Sequence, residues 1–82
     1  MEKLAKNRRV MVIRSKLEMW KNTVYDSSLD AKVGALVGNK GIEAAAQNRL
    51  KEALQAIDFL EKELAAVEQE NDEDPEDASD QP

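Results

Sequence analysis

Residues 10 to 24 read Val10-Met11-Val12-Ile13-Arg14-Ser15-Lys16-Leu17-Glu18-Met19-Trp20-Lys21-Asn22-Thr23-Val24. Within them Val10, Ile13, Leu17, Trp20 and Val24 recur at intervals of 3, 4, 3 and 4, the a/d spacing of a seam between two helices. A second stretch repeats it. Leu50, Ala53, Ile57, Leu60, Leu64 and Val67 keep the same alternation, and Ala46 extends it backwards at d. With aromatic residues at 4% and only Gly 3 and Pro 2 in 82 residues, the composition favours long helices over a β-rich core.

Between the two segments Leu29, Val33, Leu36 and Val37 form an i, i+4, i+7, i+8 stripe. This carries the first helix past Ser27-Ser28 with a slip in register, and a break near residues 26–28 is compatible with the pattern. The string Gly38-Asn39-Lys40-Gly41 is the strongest breaker in the chain. Glycine suits a helix C-terminus, and Asn39 can cap the helix that follows. The expected fold is therefore all-α: a long, antiparallel, coiled-coil-like two-helix hairpin. Its first helix is expected over 1–38, its turn at 39–41, its second helix over 42–70 and an acidic tail over 71–82.

In an antiparallel hairpin the numbers of facing positions add to a nearly constant total. The seam follows this: Leu29 with Leu50, Trp20 with Leu60, Leu17 with Leu64 and Ile13 with Val67 give totals between 79 and 81. The flanks test it independently, because g faces g and e faces e. Arg9 then meets Glu70 and Lys16 meets Glu63 at g, while Arg14 meets Glu68 and Lys21 meets Glu61 at e. All four pairs are opposite in sign. Each exposed pair is worth well under about 1 kcal/mol, so their value lies in setting orientation.

The formal charge of -5 is unevenly placed. Residues 1 to 25 carry +5, residues 26 to 67 carry -2 and residues 68 to 82 carry -8. From Asn71 onward a single alanine is the only apolar residue, so the tail has nothing to bury against its ordering entropy and is expected to be disordered. With no cysteine and no histidine, the chain lacks a thiolate or imidazole metal ligand, a disulfide, a cysteine nucleophile and the commonest general base. No catalytic, metal or cofactor site is expected, and the protein reads as a non-enzyme. No apolar run exceeds the four residues of Val10 to Ile13, too short for a signal peptide or a membrane span. The expected setting is cytoplasmic or intracellular, including the inside of a virion.

A two-helix hairpin has only one shared face, so further apolar surface should be covered by oligomerisation or by a partner protein. Val12 and Met19, with Phe59 and Ala66, occupy c positions on the two helices and sit level along one edge. With Met11 and Tyr25 nearby, they are the candidate partner-binding residues. Other strings carry less. The stretch from Gly34 to Gly41 lacks the spacing and the final Ser or Thr of a phosphate-binding loop; Gly34 and Gly38 there favour close helix packing. The acidic run from Asp72 lacks the glycine and glutamate of a calcium loop.

The basic start offers the alternative of a nucleic-acid-binding bundle. Four of its cations already have partners across the hairpin, which leaves Lys3, Lys6 and Arg8 for phosphates. The architecture, though no motif, resembles the repressor-of-primer class of short helical hairpins. That class binds paired RNA loops, but the analogy is one of fold and transfers no residue. A weaker alternative makes the acidic tail a polyanion mimic that blocks a basic groove on a nucleic-acid enzyme. The expected function is a helical-hairpin interaction or assembly protein: an adaptor, a chaperone-like protein or a virion-type structural component.

Overall fold

The computed structural model describes residues 4–70; Lys3 and the acidic tail lie outside the described residues. Two helices, α1 (Lys6–Val37) and α2 (Lys40–Glu68), pack against each other as an antiparallel hairpin. At about 1.5 Å per residue each is between roughly 43 and 48 Å long. Helix α1 runs without a break through Asp26-Ser27-Ser28.

The reversal takes only Gly38 and Asn39. Gly38 adopts the left-handed conformation, φ 71° and ψ 24°, which costs a side-chain-bearing residue about 1–2 kcal/mol. Its N–H donates to the Ala35 carbonyl at 3.3 Å and that of Asn39 to the Gly34 carbonyl at 2.8 Å. Together these satisfy two of the carbonyls left over at the end of α1. The Asn39 Oδ1 then accepts from the Ile42 N–H at 3.0 Å and starts α2 at Lys40, two residues earlier than the breaker string suggests.

At the open end of the hairpin Ile13, Leu17, Leu60 and Val67 are buried, with Val10, Trp20, Ile57 and Leu64 packed against them. Towards the turn the buried residues are small: Ser27, Gly34, Ala46 and Ala53. This overturns the expected slip in register. The seam of α1 continues from Val24 to Ser27, Ala31 and Gly34 at unbroken intervals of 3, 4 and 3. Leu29, the expected partner of Leu50, is instead 42% exposed. Gly34 shows why small residues are required. A Cβ placed there would lie 2.7 Å from the Glu43 nitrogen and 3.0 Å from its Cα, so the backbones of α1 and α2 touch. Gly38 has no such neighbour within 4 Å and serves the turn, not close packing.

Of the four expected cross-hairpin ion pairs, two close. Arg9 makes a two-pronged contact with the Glu70 carboxylate, at 2.9 and 2.5 Å, and Arg14 reaches Glu68 at 2.8 Å. Among the described residues Lys16 and Glu63 do not form an ion pair, nor do Lys21 and Glu61. A further g–g pair appears where the register holds: Arg49 meets Asp30 at 2.8 Å, with Asp26 at 4.0 Å. The Arg49 Nε donates to the fully buried Ser27 hydroxyl at 3.1 Å, which ties that polar seam position to α2.

Candidate functional site: the outward face of helix α1

Helix α1 has no acidic residue in its first turn and α2 no basic residue in its last. Both omissions run against the helix dipole, and the hairpin compensates each from the end of the other helix. Glu70 brings a carboxylate beside the start of α1 through Arg9, and Lys6 donates to the Glu70 carbonyl at 2.9 Å. Lys6 is thus engaged at the end of α2 and is not the free cation that the nucleic-acid alternative needs. Arg8 is exposed on α1, and Lys3 lies outside the described residues.

The large apolar residues left exposed are unevenly divided. Met11, Val12, Met19, Tyr25, Leu29, Val33, Leu36 and Val37 all belong to α1, whereas Ile42, Leu54 and Phe59 are those of α2. On α1 they follow a rule. The positions 12, 15, 19, 22, 26, 29, 33 and 36 alternate by 3 and 4, like the a/d seam, but lie on the opposite side of the helix. Five of these eight are Val12, Met19, Leu29, Val33 and Leu36; the polar remainder, Ser15, Asn22 and Asp26, lies between them. All eight are exposed, Leu36 at 85%. The equivalent positions of α2 are Asn48, Glu52, Gln55, Phe59, Lys62, Ala66 and Gln69, among which Phe59 is the one large apolar residue.

Thus α2 is amphipathic, as a surface helix should be, and α1 is apolar on two opposite sides. A helix of the second kind is normally covered on both. At the open end Met11, Val12, Ser15, Lys16 and Met19 line a shallow groove. The candidate partner-binding residues Val12, Met19 and Met11 therefore come together. Phe59, Ala66 and Tyr25 are exposed as well but do not line the groove. What the sequence reading missed is the turn half of the face, Leu29, Val33 and Leu36, which it had turned inward.

Among the described residues no group of three or more Asp or Glu side chains is placed to hold a metal ion. Among the described residues no helix is long and apolar enough to cross a membrane. No family model, curated protein or solved structure matches the chain, so no relative suggests a ligand for this face.

Proposed function

We propose that this protein is a non-enzymatic helical-hairpin interaction module, an adaptor, chaperone-like or virion-type assembly component that works by covering protein surface. The observation that carries the reading is the second apolar stripe of α1, from Val12 to Leu36, on the side away from α2. Exposed apolar side chains gathered on one face, here Leu29, Val33 and Leu36 towards the turn and Val12 and Met19 towards the open end, support a protein–protein contact. The ion pairs and the small-residue seam fix α1 against α2, so that the stripe is presented on an already folded helix.

The test is a paired substitution on that stripe, Val33→Asp with Leu36→Asp. Both side chains are exposed, so the hairpin should keep its helical circular dichroism and its urea midpoint within about 0.5 kcal/mol. Native mass and immobilised-bait capture, run beside the wild type, should show a complex that the double variant lacks. A double variant with the same complexes as the wild type would remove the stripe from the function.

A further inference from the structure

We infer that the turn end of the hairpin docks on an anionic lipid bilayer, dipping into its interface without crossing it. This contact goes beyond the interaction-module reading, since it uses the end of the hairpin and not the length of the stripe.

Charge is polarised along the hairpin. Residues 31–51 hold Lys32, Lys40, Arg49 and Lys51 against Glu43 alone, a charge of +3, so the remainder of the chain carries -8. Arg49 is taken by Asp30, whereas Lys32, Lys40 and Lys51 are exposed and form no ion pair among the described residues. Glu43 is half-buried on the seam, its backbone against Gly34. The acidic sequence begins at Glu68, the far end of α2. That is about 40 Å from the turn at roughly 1.5 Å per residue, several Debye lengths at physiological salt, so it does not oppose an anionic surface met by the turn.

The end of the hairpin exposes apolar side chains on every side. By the register of the seam, Val37 and Ile42 share the edge of Asp30 and Arg49, Ala35 lies on the opposite edge, Val33 and Leu36 point outward from α1, and Ala44 points outward from α2. All six are exposed, Leu36 at 85% and Val37 at 63%. A protein surface would meet one side of such a tip and leave the others in water, whereas a fluid bilayer closes around all of them. From Gly38 back to Val33 is about 7.5 Å at 1.5 Å per residue, inside the roughly 5–10 Å to which interfacial elements bury.

Leaving water costs most at unpaired backbone groups, and this turn pairs several of its own. The Gly34 and Ala35 carbonyls accept from Asn39 and Gly38, and the Ile42 and Glu43 N–H groups donate to Asn39. Lys32 and Lys40, on flexible stems, then reach lipid phosphates while the aliphatic side chains go deeper.

The chain has no cysteine, so single labels can be placed cleanly. Full-length protein with an environment-sensitive fluorophore on Ala35→Cys or on Ser15→Cys is mixed with phosphatidylcholine vesicles, with and without phosphatidylglycerol. When phosphatidylglycerol is present, the label at 35 should shift to the blue and be quenched by spin-labelled lipid, and the label at 15 should do neither. Lys32→Gln with Lys40→Gln should weaken co-sedimentation with these vesicles by about thirtyfold, from roughly a factor of five per cation near an anionic surface. Val37→Ser with Ile42→Ser, both at exposed positions and checked for helicity by circular dichroism, should weaken it by at least about tenfold. No binding, equal binding without phosphatidylglycerol, binding indifferent to either pair of substitutions, or blue shifts at both labels, as for a hairpin lying flat, would each overturn the inference. So would a tip that ignores vesicles but loses a protein complex on Val37→Ser with Ile42→Ser, which would make it a protein contact. The stripe is tested without vesicles, so failure at the bilayer leaves the interaction module standing.

Discussion

Gly34→Ala sets two known effects against each other at one atom. In a helix interior alanine is favoured over glycine by about 0.5–1 kcal/mol, because glycine loses more backbone entropy. By that rule alone the substitution stabilises α1. Against it stands the added Cβ, 2.7 Å from the Glu43 nitrogen, 3.0 Å from its Cα and 3.2 Å from the Asn39 carbonyl oxygen. All three are backbone atoms held by the first turn of α2 and cannot rotate aside. Overpacking of this kind costs about 1–3 kcal/mol, and here relief means moving α2 away from α1. The net expectation is a loss of about 1–2 kcal/mol. At about 4–8 °C per kcal/mol for a domain of this size, Tm should fall by roughly 4–16 °C.

The two other glycines supply internal controls. At Gly41 a Cβ would meet only the Asn39 Oδ1, at 3.4 Å, so Gly41→Ala should be neutral or raise stability by up to about 1 kcal/mol. At Gly38 there is space but φ is +71°, so Gly38→Ala should cost about 1–2 kcal/mol through backbone strain. All three are measured by urea denaturation at one fixed protein concentration, so that the midpoints compare like with like. If Gly34→Ala were as stable as the wild type, the close backbone contact of α1 with α2, and with it the small-residue half of the seam, would be refuted.

Ser27→Ala removes the acceptor of the Arg49 Nε from a fully buried position; since Arg49 can still reach Asp30 and water, the loss in a urea melt should be about 0.5–1.5 kcal/mol. Ser27→Leu should cost more, because Ser27 is fully buried and a larger side chain there overpacks the seam beside the fully buried Ala53. A double-mutant cycle on Arg9 and Glu70, with side chains 21% and 31% exposed, should give a coupling of about 1 kcal/mol, while Arg14 with Glu68, at 63% and 43%, should give less than about 0.5 kcal/mol. Both couplings should shrink in 1 M salt, and equal values for the two pairs would deny the partly buried pair its advantage. Replacing Lys3, Lys6 and Arg8 by alanine should leave nucleic-acid binding as it is in the wild type, undetectable at physiological salt in a fluorescence anisotropy titration; submicromolar binding lost in the triple variant would restore the nucleic-acid alternative.

The open half of the hairpin is legible in the sequence because bulky residues mark its seam. Val10, Ile13, Leu17 and Trp20 against Ile57, Leu60, Leu64 and Val67 announce their period by hydrophobicity alone, and the outcome at Arg9 and Arg14 follows from the antiparallel numbering. The turn half reads backwards for a physical reason. Near the turn, where the backbones touch at Gly34, the buried seam positions are Ser27, Gly34, Ala46 and Ala53, whose weak hydrophobicity hides the inward face although the half-buried Leu50 lies between the last two. The louder residues beside them, Leu29, Val33 and Leu36, then look like the core although they point out. The clue was the unbroken 3 and 4 spacing past Val24, together with the numerical match of Ser27 to Ala53 and Gly34 to Ala46. Size therefore decides between two apolar stripes on one helix: the small-residue stripe takes the close neighbour fixed by a two-residue turn. The stripe of Val12, Met19, Leu29, Val33 and Leu36, built of larger side chains, is the one that the hairpin leaves exposed.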